Sequence, residues 1–403
     1  MFKNLNLKII LFGFIFTFFS SFGQSFFLGL FNESIRNELN ITHGQFGTIY
    51  AAATICSSML LVWYGKKIDE FKLFNYALGA IVLLSISSFL FSKISSFYLL
   101  IISIFLMRFS GQGLMSHTAT TAISRYFERR RGKALSTIWF GLSSAEFILP
   151  VLVVFLMTIY SWKTVWQFIS IFAILILPVV AFVTIKEITF ESRENDPTNE
   201  KAHLKKIKQW KRSEVLKDYR FYIISSNMLA MPWIITGIFV YQSFIAESKL
   251  WDTYTIPKSF MIYSITSIIT LFSSGFLVDK FTSRKLIPLM NIPLLIALIF
   301  LYHFNNPLVS FFFFGLVGVS NGLANVLGSS TWAEIYGVRY IGSIKALTTA
   351  LMVFSTAFGT AIFGYLIDIG LTINGISIIS ALYITISLIL LLLIRSSIEP
   401  VNT

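Results

Sequence analysis

The chain is short of what a water-soluble protein puts on its surface. Only 13% of its 403 residues are charged, acidic residues number 19 against 32 basic ones, and a single cysteine, Cys56, falls inside an apolar run. One cysteine excludes an internal disulfide framework. No Cys/His cluster stands at metal-ligand spacing, so neither a metal nor any other cofactor is expected. No nucleophile, base and orienting group converge at a recognisable spacing, which argues against an enzyme. The excess of basic residues is not interleaved with aromatics as a stacking platform would be, so nucleic acid is not an expected partner.

What fills the chain instead is apolar: 55% of the residues, with 42 phenylalanines. That is more apolar surface than one soluble core of this length can bury, so lipid must cover the rest. A bilayer core of ~30 Å takes roughly 20 apolar residues as a helix, and the sequence breaks repeatedly into runs of that size. The expected spans are 8–30, 46–65, 75–92, 97–122, 134–158, 164–186, 220–246, 257–278, 286–303, 308–331, 345–369 and 372–394. The opening MFKNLNLKIILFGFIFTFF has the basic and apolar regions of a signal peptide, with Ser21-Phe22-Gly23 as a small-x-small site. Its long apolar run reads as a retained first span.

Twelve spans put both termini on one side. Lysine and arginine test this: 26 lie on the side of the termini and five, Arg36, Lys93, Lys163, Lys249 and Lys258, on the other, with Arg108 inside a span. The bias of basic residues toward the cytoplasm then places both termini inside, in a cytoplasmic (inner) membrane. The one long polar stretch divides the chain into a six-span half (1–186), a cytoplasmic linker (187–219), a second six-span half (220–394) and a short tail (395–403). The basic segment Lys205 to Arg212 reads either as an amphipathic helix on anionic headgroups or as plain solvated linker.

The halves echo each other. Gly65-Lys-Lys-Ile-Asp69 after span 2 matches Gly275-Phe-Leu-Val-Asp279 after span 8 at an offset of 210, Gly113 matches Gly322 at 209, and Lys133-Ala-Leu matches Lys345-Ala-Leu at 212. Three nearly constant offsets at equivalent places indicate duplication, and duplicated bundles with a site between the halves are a transporter architecture.

On these residues the chain resembles the major facilitator superfamily over essentially its whole length. The family signature between spans 2 and 3 finds Gly65, Asp69 and Lys72 here, with Glu70 at a position that is usually basic. The second copy supplies Gly275, Asp279, Lys280 and Arg284. Arg108-Phe-Ser-Gly-Gln-Gly113 is similar to an element of the family's fourth span. Arg125 to Ser136 resembles a loop of the monocarboxylate and oxalate/formate branch, although spans 7 to 12 carry no interior Lys or Arg. The resemblance implies an all-α integral membrane fold, two pseudo-symmetric six-helix bundles around a central cavity flanked by spans 1, 4, 7 and 10. It also implies that Gly65, Asp69, Gly275, Asp279 and Arg284 belong to gating loops. There the carboxylates would accept bonds from the start of a helix such as span 11 or span 5.

An ionised side chain in mid-bilayer needs a partner or an aqueous cavity, and two residues stand there. Counted along their spans, Arg108 and Glu146 lie roughly 21 and 18 Å from the side of the termini, at a rise of 1.5 Å per residue. They read either as a switchable proton-coupling pair or as a fixed structural ion pair. Arg108, Gln112 and Ser116 share a face of span 4, and Asn321, Asn325 and Ser329 share one of span 10. With Gln24 and Asn227 these are candidate substrate contacts, the alternative being helix-to-helix hydrogen bonds. His117 reads as a proton relay or as a backbone-bonded imidazole. Trp139, Trp233 and Tyr263 are candidates to line the path, and Met231-Pro232 to bend span 7.

The expected function is secondary active transport of a small organic anion or zwitterion, proton-coupled, by a monomer in the lipid bilayer. Efflux of amphipathic compounds is the alternative within transport. A transporter-like membrane sensor without turnover is the alternative from another class.

Overall fold

The computed structural model describes residues 2–127, 131–186, 188, 208–337 and 339–398. The tip of the Arg125–Ser136 loop, most of the linker with Lys205 to Ile207, the Ser329 side chain and the end of the tail lie outside them. Among the described residues the chain is helical with no strand. Among the described residues eleven helices are long and apolar enough to cross a membrane, and a twelfth forms from two pieces bent by 45°. In chain order they are α1 (Leu7–Gly23 with Ser25–Leu39), α2 (His43–Asp69), α3 (Leu73–Phe91), α4 (Phe97–Tyr126), α5 (Lys133–Ile159), α6 (Trp162–Ile185), α7 (Tyr219–Val240), α8 (Thr255–Phe281), α9 (Ser283–His303), α10 (Leu308–Tyr336), α11 (Ile341–Asp368) and α12 (Ile373–Leu393). The twelve expected spans are therefore present. Pro232 does not interrupt α7, whose helix runs through it.

Inside a bilayer a helix leaves its hydrogen-bond ladder only where another group takes up the freed backbone. Helix α1 does this at Gln24, which is extended (φ −82°, ψ 153°) between two helical pieces. The amides of Phe27 and Leu28 turn to the Gln24 carbonyl, leaving that of Gly23 to an outside donor. Opposite the break, α4 widens into a π-helical stretch over Arg108–Met115. Only glycines allow this crossing: a Cβ on Gly111 would meet Gly23 N at 2.6 Å and Gly23 Cα at 2.9 Å.

The halves are joined unevenly. On the face away from the termini, Asn32 Nδ2 donates to the Val240 carbonyl (2.7 Å), Gln242 Nε2 to that of Phe26 (2.9 Å), and the Gly44 amide to Asp368 Oδ2 (2.9 Å). The Tyr241 hydroxyl lies 2.9 Å from the His43 carbonyl and 3.0 Å from that of Thr360. Buried residues of α2 run from Phe46 to Ser57, with only Gly65 and Ile68 beyond, and those of α11, Ile344 apart, begin only at Ser355. Toward the termini both helices open out, with Val62 73% and Met352 46% exposed. The two bundles thus form a V, closed on the far face and parted on the face of the termini.

The end of the linker is anchored under the second half. The Trp210 amide donates to the Tyr336 carbonyl (3.0 Å), and Asp218 caps α7 through the Arg220 amide (3.0 Å) while pairing with the Arg220 guanidinium at 2.8 Å. Tyr336 donates to the same carboxylate (3.2 Å), and Arg220 Nη1 reaches the Ser397 carbonyl of the tail. Burial pushes the Asp218 carboxyl up, but the bonds and charge of Arg220 outweigh it and hold the group below its ordinary value of 3.8. A carboxyl lowered by folding stabilises the fold above its unfolded value and loses that contribution as pH falls through the folded one. Asp218→Asn is therefore expected to loosen this anchor at neutral pH by ~1 kcal/mol or more, through the lost cap and ion pair. Limited proteolysis between residues 208 and 220 reads it out. Cleavage should quicken in the variant at pH 7, and in the parent only near or below pH 4.

Candidate functional site

At the mouth of the V the expected gating residues hold partners within their own half. Asp69 forms an ion pair with Arg125 of α4, and among the described residues no bond joins it to α11 or α5, in place of the helix-start contact expected for it. With α2 and α11 parted at this face, the start of α11 is out of reach. Asp279 is exposed, and a Cβ on Gly275 would meet nothing within 4 Å. Gly65 presents its carbonyl to His117 Nε2 (3.0 Å), so His117 is the backbone-bonded imidazole of the two readings. Arg284 pairs with Glu334 (3.8 Å) and reaches the Ile398 carbonyl. The Glu334 carboxylate also accepts from the amides of Ser283 and Arg284 at 2.9 and 3.2 Å, so it caps the start of α9. Glu334 was not among the expected site residues.

Deeper in, the polar side chains fall into two groups. In the first half, Arg108 is 4% exposed, donates from Nη1 to the Gly23 carbonyl (3.1 Å) and lies over the Tyr50 ring, 5.2 Å from its centroid. That bond satisfies the carbonyl that the break in α1 set free, while the buried Arg108 Nε has no partner among the described residues. Gln24 at that break and Gln112 beside Gly23 are both half-buried, so these three expected residues do meet around one crossing. In the second half, Asn321 Nδ2 donates to Ser267 Oγ of α8 (2.9 Å), and the exposed Asn325 donates to the Asn321 carbonyl (3.0 Å). Asn227 is fully buried between α7, α9 and α12. It accepts at its carbonyl from Asn291 Nδ2 (2.6 Å) and lies 3.4 Å from Ser387 Oγ, which makes it a helix-to-helix bond.

Glu146 stands apart from Arg108. Among the described residues no ion pair joins the two, so the expected pair is not formed in this conformation. Equal depth leaves azimuth open: Arg108 turns to the α1 break and α2, whereas Glu146 belongs to α5, which packs between α1 and α8. On α5, Gly141 lies against the Phe14 carbonyl of α1, Ser143 accepts from Ser264 of α8 (2.5 Å), and Ile148 and Phe155 are 47% and 50% exposed. At 100° per residue Glu146 falls opposite those exposed residues, toward the interior, with the half-buried Trp139 two turns nearer the termini on the same face. Tyr263 of α8 lies within electrostatic reach of the carboxyl, which is 8% exposed. The Tyr263 ring edges a cluster in which Phe239, Phe260 and Phe314 centroids are 4.9 to 6.2 Å apart. Phe26, just beyond the break in α1, closes it from the other half at 5.7 Å from Phe260.

Two six-helix bundles closed against each other at one end, the first with a broken helix and an interior carboxylate, have the build of a membrane transporter. The Major Facilitator Superfamily model matches residues 13–360, and the chain belongs to that family. Solved structures agree in fold. A bacterial homolog of the human lysosomal transporter Spinster, described as inward-facing and occupied, aligns at TM-score 0.71 and 12% identity over 100% of this chain and 99% of that one. The nucleoside transporter NupG aligns at TM-score 0.70 and 13% identity over 98% and 99%. No curated protein matches the sequence.

Proposed function

We propose that the chain is a secondary active transporter that moves a small organic solute across the cytoplasmic membrane by alternating access, with proton coupling at Glu146. The halves, residues 1–186 and 220–394, rock about the linker 187–219, both termini face the cytoplasm, and one copy suffices because its two halves complete the cleft. The observation that carries this reading is the uneven closure: bonds and glycine contacts seal the far face, while α2 and α11 part toward the termini. The likeness to an inward-facing Spinster homolog supports an inward-facing state. The loop from Arg125 to Ser136 argues for a solute bearing a carboxylate. Glu146 lacks a cation among the described residues, so of an anion and a zwitterion the geometry favours the one with a positive charge. The aromatic cluster beside Glu146 supports a second reading, export of amphipathic compounds.

In a Cys56→Ser background, Val62→Cys and Met352→Cys are expected to label rapidly from the side of the termini. Ala357→Cys, 1% exposed on the sealed half of α11, is expected to stay shielded. Solute or an imposed pH gradient should raise labelling of Ala357→Cys by about tenfold, the mark of a shifted equilibrium between two states. Continued shielding under every gradient and solute, in protein that remains folded, would overturn alternating access.

A further inference from the structure

The seal on the far face closes around His43, the first residue of α2. Its carbonyl accepts from the hydroxyl of Tyr241 at the end of α7 (2.9 Å), and Gly364 of α11 packs on the same carbonyl so closely that it has no room for a Cβ. The imidazole lies against Tyr241 and Phe244 of the other half, 5.8 and 5.3 Å from their ring centroids. Its Nδ1 is buried and has no hydrogen-bond partner among the described residues. Two charged groups face the ring, Arg36 on the outer piece of α1 and Asp368 at the end of α11. Asp368 is committed to the Gly44 amide (2.9 Å). Arg36 Nε donates to Asn32 Oδ1 (2.8 Å), and Asn32 in turn holds the Val240 carbonyl. Glu33 of α1 and Glu247 after α7 interact with Arg36.

A positive charge on His43 is badly placed in this arrangement. Nδ1 would become a donor with nothing to accept from it, and the Arg36 guanidinium would repel it. The first turn of a helix also disfavours a cation, because the unpaired backbone amides point there. Asp368 offsets part of this while its Oδ2 stays engaged across the seam. Parting α2 from α11 and Tyr241 puts the ring in water, where these penalties fall away, so a charged His43 favours the open far face over the closed one.

We infer that His43 is a proton-operated latch: a proton taken up by its ring from the medium on the far side loosens the closure, and acid there draws the carrier toward its outward-open state. This deepens the transport reading and rests on alternating access, though not on Glu146. The proton enters from the far side and returns to it on closure, so the latch sets which state waits for solute and carries no charge across the membrane. Imidazole suits this role, since its ordinary titration falls between about pH 5 and 8.

The test follows the far-face distance in the full chain in lipid nanodiscs, with spin labels attached before any titration. The labels sit at Tyr98→Cys and Leu308→Cys, 77% and 71% exposed at the far-face starts of α4 and α10, in a Cys56→Ser, Glu146→Gln background. Glu146→Gln removes the other proton site of the proposed cycle. From about pH 8 to about 5 the ratio of long to short distances should rise, by about tenfold per pH unit once the ring is protonated in the open state. Adding His43→Gln should flatten this profile and keep the melting temperature, whereas His43→Lys should hold the long distance at every pH. Asp368→Asn should shift the ratio toward open without removing its dependence on pH. The proposal is overturned by a pH profile that His43→Gln leaves intact, or by acid that shortens the distance. If acid has no effect while Gly47→Leu, which crowds α2 against α11 at the same seam, lengthens the distance, the latch fails and alternating access stands. If neither lengthens it in folded protein, alternating access fails with the latch.

Discussion

Arg108→Ala is expected to abolish transport and to lower the melting temperature by several degrees, and Glu146→Gln in the same chain is not expected to restore either. The guanidinium sits at the one point where α1 has no helical ladder, and it supplies the donor that the Gly23 carbonyl has lost. A hydrogen bond to a charged group contributes about 1.5 to 3 kcal/mol, and leaving a buried carbonyl unsatisfied costs about as much as the bond gave. Nor would the neighbouring glycine crossing compensate, since Gly23 and Gly111 touch only because both backbones are held in place. A loss of ~2 to 3 kcal/mol corresponds to about 2 to 4 °C, taking the per-residue unfolding entropy over a chain of this length. Arg108→Lys should lie between: an ammonium can reach the carbonyl but lacks the planar fork that also lies over Tyr50. The double variant decides the relation to Glu146. Independent sites give additive losses in thermal unfolding and in solute uptake. If Glu146→Gln instead repaired Arg108→Ala, the two would pair in some other state of the cycle, and the fixed role assigned to Arg108 would fail.

The case of Arg108 shows why some of this site could be read along the chain and some could not. Apolar runs of bilayer length are one-dimensional facts, so span positions, the duplication and the mid-membrane standing of Arg108 and Glu146 follow from them. Depth follows as well, from the rise per residue. Azimuth does not: it depends on which face of α5 packs on α1 and α8, set by Gly141, Ser143 and their neighbours in three dimensions. The partner of Arg108 is a backbone carbonyl freed by a break at Gln24, and a carbonyl has no side-chain signature. Asn227 was a candidate because a polar residue in a span suggests a cavity, yet its position between α7, α9 and α12 makes it a strut. On the sealed face, Asp368, Tyr241 and Gln242 stand at helix ends, where polar residues are commonplace, so only the contact across the halves marks them out.

That sealed face gives the other large expected effect. Gly47→Leu should hold the far side open, raising labelling of Ala357→Cys and reducing turnover by tenfold or more. A Cβ on Gly47 would run into the Thr360 carbonyl oxygen and the Tyr241 hydroxyl, and the next carbons of leucine have nowhere to go between α2 and α11. Gly364 makes the reciprocal approach, with a Cβ there meeting the His43 carbonyl and the same hydroxyl. Tyr241 thus sits in a slot made by two glycines and bridges α2 to α11. Overpacking costs about 1 to 3 kcal/mol, and each bond lost at Tyr241 adds about 1 kcal/mol. Together these amount to ~2 to 5 kcal/mol against the closed far face, and ~5.5 kcal/mol would turn a 99:1 preference into its inverse. The closed state therefore loses most or all of its advantage, while contacts elsewhere in each bundle are untouched. Tyr241→Phe removes the bonds without the overpacking, so it should shift the same labelling by a smaller factor. Gly79→Val is the control, because a Cβ there meets nothing within 4 Å. Far-face labelling that stays at the parental level in folded Gly47→Leu would mean that the closure is held by something other than this contact.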